Sequence, residues 1–168
     1  HDLMSLQPGT EAYVRGPHGI AVDPPEGAKI ITVSGGTGLA AVYQVARDFP
    51  NTEIFTGART AERLYFIDEC KKIAPVHIAT DDGSEGHHGF VTELLRDYLQ
   101  GLSEEERSKL MFYNCGPAPM VHAAIAVERE FCGDARIHSA IDYLTKCGVG
   151  LCGACAAPDG RRLCVDGP

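Results

Sequence analysis

The sequence predicts an α/β domain, a doubly wound parallel five-stranded sheet, followed by a small C-terminal cysteine lobe. Three observations lead there. Short β-branched runs alternate with segments of helical spacing from Lys29 to about residue 140. Most of these runs end in a loop of glycine or small polar residues, and four of the chain's seven cysteines fall within residues 147–164.

Lys29-Ile-Ile-Thr-Val-Ser34 is an uninterrupted β-branched run, the pattern of a central parallel strand covered on both faces. Residues 39–48 place apolar side chains at helical spacing and stop before Pro50. Residues 52–56 read as the second strand and 61–72 as the second helix. Residues 76–80 form the third strand, followed by a Gly-rich loop and a helix over 89–99. Residues 109–114 form the fourth strand, 118–130 a further helix, and 135–140 the fifth strand. One helix between successive strands implies right-handed crossovers and helices on both faces of the sheet. Residues 104–109, rich in Glu, read as a solvated helix turn. Ahead of all this, residues 12–15 suggest a short strand ending at Gly16-Pro17, with a Pro24-Pro25 connector after it.

Composition narrows the function. With 168 residues, 44% of them hydrophobic, the chain can bury one main core. A net charge of -8 and no basic run argue against nucleic acid as a partner. No apolar stretch approaches the roughly 20 residues that span a bilayer, so no membrane partner is expected and the chain reads as cytoplasmic. Seven cysteines is an odd number, with Cys70, Cys115 and Cys132 scattered through ordinary helix and strand segments. That is not the pattern of a secreted disulfide framework.

In open parallel sheets, ligands bind beyond the carboxyl ends of the strands. Here Gly35, Gly36, Thr37, Gly38 and Leu39 follow the first strand and open a helix, whose amides and dipole suit a pyrophosphate. Gly57, Ala58 and Arg59 follow the second strand, and Thr80, Asp81 and Asp82 the third. Cys115, Gly116 and Pro117 follow the fourth, with Met120 one turn into the next helix. The first turn is not G-x-G-x-x-G, and tight strand-to-helix turns need glycine for steric reasons alone. Four such loops on one edge nevertheless point to a nucleotide or dinucleotide site. Asp81 and Asp82 suit ribose hydroxyls or a helix cap. Cys115 stands where a nicotinamide would lie against its sulfur, or is a small buried hydrophobe. His87 and His88, adjacent and without a third ligand, read as solvated.

The C-terminal spacing is C-x4-C-x2-C-x8-C, at Cys147, Cys152, Cys155 and Cys164. Structural zinc usually takes two C-x2-C knuckles, and only Cys152 and Cys155 make one. The opening C-x4-C-x2-C is the plant-type ferredoxin order of a [2Fe-2S] cluster. Gly148, Gly150 and Gly153 supply a backbone able to wrap it. Zinc stays the alternative. Pro158-Asp159-Gly160 reads as the turn of a small hairpin that returns Cys164 to the group.

These residues together carry a resemblance. Gly35-Gly-Thr-Gly38, Gly57-Ala-Arg59, Ala79-Thr-Asp-Asp-Gly-Ser84 with Gly89-Phe-Val91, Cys115-Gly-Pro-Ala-Pro-Met120, Cys147-Gly-Val-Gly-Leu-Cys-Gly-Ala-Cys155 and Cys164-Val-Asp-Gly-Pro168 resemble the electron-transfer subunits of NAD-dependent dihydroorotate dehydrogenase. These are members of the ferredoxin-NADP reductase-like superfamily. The resemblance implies NAD(H) at the carboxyl edge, FAD beside it, a [2Fe-2S] cluster on the four cysteines, and a flavin-containing catalytic subunit as partner in a hetero-oligomer. It places Gly36 to Leu39 at the pyrophosphate and Cys115, Gly116 and Met120 near the nicotinamide. It also implies three segments: 1–28 as the last strand and linker of a preceding FAD-binding barrel, 29–140 as the pyridine-nucleotide domain, and 141–168 as the cluster lobe. The barrel's own motifs are absent from these residues, so the chain reads as part of a longer protein. A hydrogenase-type diaphorase subunit and a ferredoxin:NADP oxidoreductase share much of the pattern; from another class, a nucleotide-binding module with a zinc lobe remains. Arg59 and Arg63 suit a 2′-phosphate, whereas Glu62 beside them points to NADH.

Overall fold

The computed structural model describes residues 5–140 and 144–167. The chain divides into two compact units, Ala21–Asp142 and His1–Ile20 with Tyr143–Gly167. The larger unit is built as β1 (Lys29–Gly35), α1 (Leu39–Asp48), β2 (Thr52–Ala58), α2 (Ile67–Lys71), β3 (Val76–Thr80), β4 (His87–His88), α3 (Val91–Gly101), α4 (Glu104–Ser108), β5 (Leu110–Cys115), α5 (Ala118–Glu128) and β6 (Ile137–Ala140). Among the described residues the strands form one parallel sheet in the order β4-β3-β2-β1-β5-β6.

Alternation along β1 sends Ile31 and Val33 to one face and Ile30 and Thr32 to the other. Ile31, Val33, Phe55 and Phe112 pack with Leu95 and Leu99 of α3 and with Ala124 and Val127 of α5. The opposite face closes on Leu39, Val42 and Ala46 of α1 with Ile54, Cys70 and Ala74. Leu95 and Leu99 are fully buried, and burial of each contributes about 2 kcal/mol. Both faces are covered because the chain winds outward from β1 to β4, then returns to start β5 on the other side of β1. The strand order reverses between β1 and β5, which is where such sheets open a crevice.

Three details differ from the sequence expectation. The sheet has six strands, not five: His87–His88 pairs parallel with Ala79 and Thr80. A two-residue strand leaves no periodicity to detect, and it exists because the loop after β3 is drawn back along that strand, with the Gly89 amide donating to the Thr80 carbonyl. The helix expected over 61–72 is broken into a short 3-10 turn, Ala61–Arg63, and α2. Phe66 sits between them in the left-handed region at φ 69°, a conformation no helix can pass through. No strand forms N-terminal to Lys29 among the described residues, since residues 12–15 find no ladder partner. The 104–109 run does form the expected helix turn, capped by Ser103, whose hydroxyl accepts from the Glu106 amide while the Glu106 carboxylate accepts from the Ser103 amide.

At the amino end of the sheet, the side chains of β1–β3 and α3 close a polar cluster. Lys29 Nζ donates to Tyr98 Oη at 2.7 Å, Tyr98 donates to Glu53 Oε1 at 2.8 Å, and His77 Nε2 meets Glu53 Oε2 at 2.7 Å. Burial opposes the Glu53 charge, but hydrogen bonds from Lys29, His77 and Tyr98 outweigh it and hold the carboxyl below its usual range.

In the smaller unit, the cysteine segment runs through turns to α6 (Leu163–Asp166). Ala156 and Arg162 form an antiparallel bridge across the Pro158-Asp159-Gly160 turn, and the Ala157 amide donates to the Arg161 carbonyl at 2.8 Å. The N-terminal stretch is laced to this segment: the Gly19 amide donates to Cys164 O at 2.9 Å, the Ile20 amide to Gly167 O, and Arg15 Nη1 to Cys147 O at 3.1 Å. No helix among the described residues is long and apolar enough to cross a membrane.

Candidate functional site: a cavity at the carboxyl edge and a four-cysteine segment

A cavity of about 690 Å³ opens at the carboxyl ends of β1 and β2, large enough for much of a dinucleotide. Gly35 and Gly36 line its floor with Gly57 and Ala58. Arg59, Arg63, Tyr65 and Asp81 line one side. Phe90, Val91 and Thr92 from the start of α3, and Pro117, Pro119, Met120 and Ala123 from the start of α5, complete it. The N-termini of two helices therefore border the same space, where the positive ends of their dipoles favour an anion.

The tight entry from β1 into α1 explains the glycines. A Cβ on Gly38 would collide with the Cys115 carbonyl, so only glycine lets the first loop pass the end of β5. Gly36 takes φ 56° at the turn itself. Of the residues singled out from sequence, Gly35, Gly36, Gly57, Ala58, Arg59, Asp81, Pro117 and Met120 line the cavity. Thr37, Gly38, Leu39, Thr80, Asp82, Cys115 and Gly116 do not, although they stand in the same loops. Leu39 is core. Thr80 is buried, and its hydroxyl donates to the Glu85 carbonyl at 2.8 Å. Asp82 accepts from the Ser84 hydroxyl at 2.6 Å and the Ser84 amide at 3.0 Å, bonds that depress its carboxyl, so it braces the loop after β3. Cys115 is half-buried against the α1-side core, and burial pushes its thiol up. A raised thiol is a neutral packing group at pH 7, not a nucleophile.

Sequence reasoning missed Tyr65, Thr92 and Ala123, and met Phe90, Val91 and Pro119 only inside the resemblance motifs, with no site role assigned to them. Tyr65 follows the broken helix, and the α3 residues reach the cavity only through packing of α3 beside α5. Ala123 had a local signal, lying three residues after Met120 on one helix face. Arg59 and Arg63 both line the cavity whereas Glu62 does not, so the acidic residue expected to favour NADH is not placed to do so.

In the other unit, Cys155 and Cys164 are buried, Cys147 is half-buried and Cys152 exposed. Cys152 acts on the charge of Cys147, and Cys155 on that of Cys164. Among the described residues no group of three or more His, Cys, Asp or Glu is disposed to hold a metal ion. The backbone, however, is turned toward sulfur. Leu151 N and Cys152 N donate to Cys147 Sγ at 3.3 and 3.4 Å, and Gly150 N donates to Cys164 Sγ at 3.2 Å. Amides of Val149, Cys152 and Leu151 bring the Cys147 thiol down to about 6. Gly150 makes its bond at φ 76°, a conformation open to glycine. Amides aimed at thiolates are what a thiolate-ligated centre requires, so the donor set fits a soft metal or cluster.

The sheet order, the reversal point and the cavity beside it define a doubly wound dinucleotide-binding type of domain. The pattern of the Oxidoreductase NAD-binding domain family matches residues 32–125, and the chain belongs to that family. It is 36% identical over 171 residues to a probable dihydroorotate dehydrogenase B (NAD(+)), electron transfer subunit, of Methanocaldococcus jannaschii, covering 99% of this chain and 63% of that protein. It is 32% identical to the dihydroorotate dehydrogenase B (NAD(+)), electron transfer subunit, of Fusobacterium nucleatum subsp. nucleatum, covering 99% and 66%. The chain thus spans a little under two thirds of these curated relatives. Among solved structures, it is similar to a chain of an NADH-dependent reduced ferredoxin-NADP oxidoreductase, with a TM-score of 0.77 and 27% identity over 99% of this chain and 61% of that one. A ferredoxin reductase of carbazole 1,9a-dioxygenase gives a TM-score of 0.56 and 25% identity over 70% and 38%. The fold is ferredoxin-reductase-like.

Proposed function

We propose that the chain belongs to the electron-transfer subunit of an NAD-dependent dihydroorotate dehydrogenase, an oxidoreductase component of cytoplasmic pyrimidine biosynthesis. It would exchange electrons between NAD(H) and a flavin-containing catalytic subunit within a hetero-oligomer. The observation that carries this reading is that one chain holds both a cavity large enough for much of a dinucleotide and a four-cysteine segment in which backbone amides face Cys147 and Cys164. Relatives bearing that function in their names are similar to it over 99% of its length.

Residues 29–140 are assigned to NAD(H). Gly35 and Gly36 leave the floor free of side chains for a pyrophosphate, with Thr37 and Gly38 turning the chain into α1. Arg59 supplies positive charge, and Asp81 a hydrogen-bond acceptor for a ribose. Pro117 and Met120 form an apolar wall for the nicotinamide, while Cys115 and Gly116 set that wall's height through their backbone. Residues 141–168 are assigned to a [2Fe-2S] cluster on Cys147, Cys152, Cys155 and Cys164, with FAD held by the whole protein and residues 1–28 leading from its site. When bound, nicotinamide and flavin supply two-electron chemistry and the cluster one-electron chemistry. The chain's own work is orientation, exclusion of water and amide bonds to sulfur that set potential.

One structural likeness favours a second reading, a subunit of a ferredoxin:NADP oxidoreductase. The full-length protein, combined with a flavin-bearing dihydroorotate-oxidising subunit, separates the two. Dihydroorotate-dependent reduction of NAD+ is the expected result. Turnover with reduced ferredoxin and NADP+, and none with dihydroorotate, rejects the first reading.

A further inference from the structure

Beneath the cavity, two buried side chains share too few protons. Asn114, the penultimate residue of β5, and Glu128, the last of α5, are both fully buried. Asn114 Nδ2 donates to Glu128 Oε2 at 2.9 Å, and the same nitrogen lies 3.4 Å from Ser139 Oγ on β6. Asn114 Oδ1 and Glu128 Oε1 are buried without any hydrogen-bond partner. Two orphaned acceptors in one buried pair are destabilising, because each has lost its water without gaining a donor. Rotating the amide does not cure this, because a carboxylate brings two acceptors and no donor.

One added proton resolves both. We propose that Glu128 is held as a neutral carboxylic acid whose hydroxyl donates to Asn114 Oδ1, forming a two-bond acid–amide pair that positions the end of β5. The surroundings agree. Asn114 of the sheet meets Glu128 directly, with Ser139 on the same Asn114 amide, and on the turn after α5 stands the thiol of Cys132, itself pushed up to about 11 by burial first and by Glu128 second. The cations of neighbouring segments are engaged elsewhere. Arg96 of α3 pairs with Glu130, Arg129 with Asp134, Arg107 bonds the Leu99 and Gln100 carbonyls, and Arg136 the Ser108 carbonyl. Burial, opposed by the Asn114 bond, raises the Glu128 carboxyl to about 7.

The pair bears on the site through the two residues next to Asn114 in the chain. Cys115 packs its carbonyl against Gly38, and at Gly116 a Cβ would lie 2.9 Å from both Gly35 N and Met120 Cε. The floor and the α5 wall of the cavity thus meet immediately beyond the pair. Glu128 is a positioning residue: its proton holds the strand end in register, and losing the proton leaves a buried carboxylate with a single donor. The functional part of this inference rests on the cavity being the nucleotide site; the protonation does not.

The sign of the pH dependence comes from the raised carboxyl. The ordinary value is 4.5 and the folded value about 7, so the stabilisation is complete below 4.5 and is lost as pH rises to 7. The test uses Glu128→Gln in the full-length protein, since glutamine reproduces the neutral acid's donor and acceptor. An infrared difference spectrum, native minus variant, should show a protonated carboxylic C=O stretch at pH 6 that titrates away near pH 7. The native melting temperature should fall between pH 5 and pH 8 relative to the variant's, and NADH affinity should weaken severalfold over that range only in the native protein. Absence of the band at pH 6, parallel melting profiles, or a glutamine variant that does not fold overturns the acid–amide pair. A band that titrates as described, with NADH affinity equally pH-dependent in both proteins, overturns the positioning role alone. If NADH does not bind at all, the functional reading fails while band and melting profiles still decide the pair.

Discussion

At the amino end of the sheet Lys29, Glu53, His77 and Tyr98 direct their polar atoms at one another, whereas at the carboxyl end Arg59 and Arg63 face the cavity and form no ion pair among the described residues. The same strands supply both ends, and the same helices cover both. The difference lies in what completes the hydrogen bonding: at one end the chain does so itself; at the other, helix N-termini, two cations and an apolar wall remain for a ligand. A closed polar cluster contributes to stability, and an open one is available for binding.

The contrast can be broken from either side. Gly38→Val should have the largest effect, because its side chain meets the Cys115 carbonyl where two loops pass. A loss of about 3 kcal/mol in denaturant unfolding is expected, with NADH binding abolished even where the protein stays folded. Glu53→Gln at the opposite end should cost about 2 kcal/mol at pH 7 and leave NADH affinity unchanged. Glu53 is held below its ordinary value of 4.5, so this contribution is present above that value and is lost as pH falls through the folded one; the native and variant melting curves should therefore converge in acid. Arg59→Ala should do the reverse at a smaller scale. Stability should be unchanged and dinucleotide affinity should fall by about 1 kcal/mol, or about fivefold, with a reduced salt dependence of binding in calorimetry. An equal loss of affinity from Glu53→Gln and Arg59→Ala would remove the distinction between the two ends.

Much of this was legible in the sequence because it rests on local signals. The run Lys29 to Ser34 could only be a buried strand, and Gly35 to Gly38 marked the turn beside it. The features that escaped depend on tertiary geometry. His87–His88 is a strand only because β3 is beside it. Phe66 breaks a helix that apolar spacing alone would continue, and Thr92 lines the cavity because α3 packs near α5. Asn114 and Glu128 look like an ordinary strand polar and a solvated helix end, and nothing in their spacing announces that they meet in the core. The cysteines were the opposite case: their spacing in the sequence suggested a cluster before any geometry, and the structure adds amides turned toward Cys147 and Cys164.

The central claim, that electrons from NADH reach a cluster on the C-terminal cysteines, is tested most directly by electron paramagnetic resonance of the full-length protein purified without oxygen. NADH should elicit the signal of a reduced [2Fe-2S] cluster, and Cys152→Ser should abolish it while leaving NADH affinity intact. A colourless protein with one zinc per chain and no signal on addition of NADH would contradict the account.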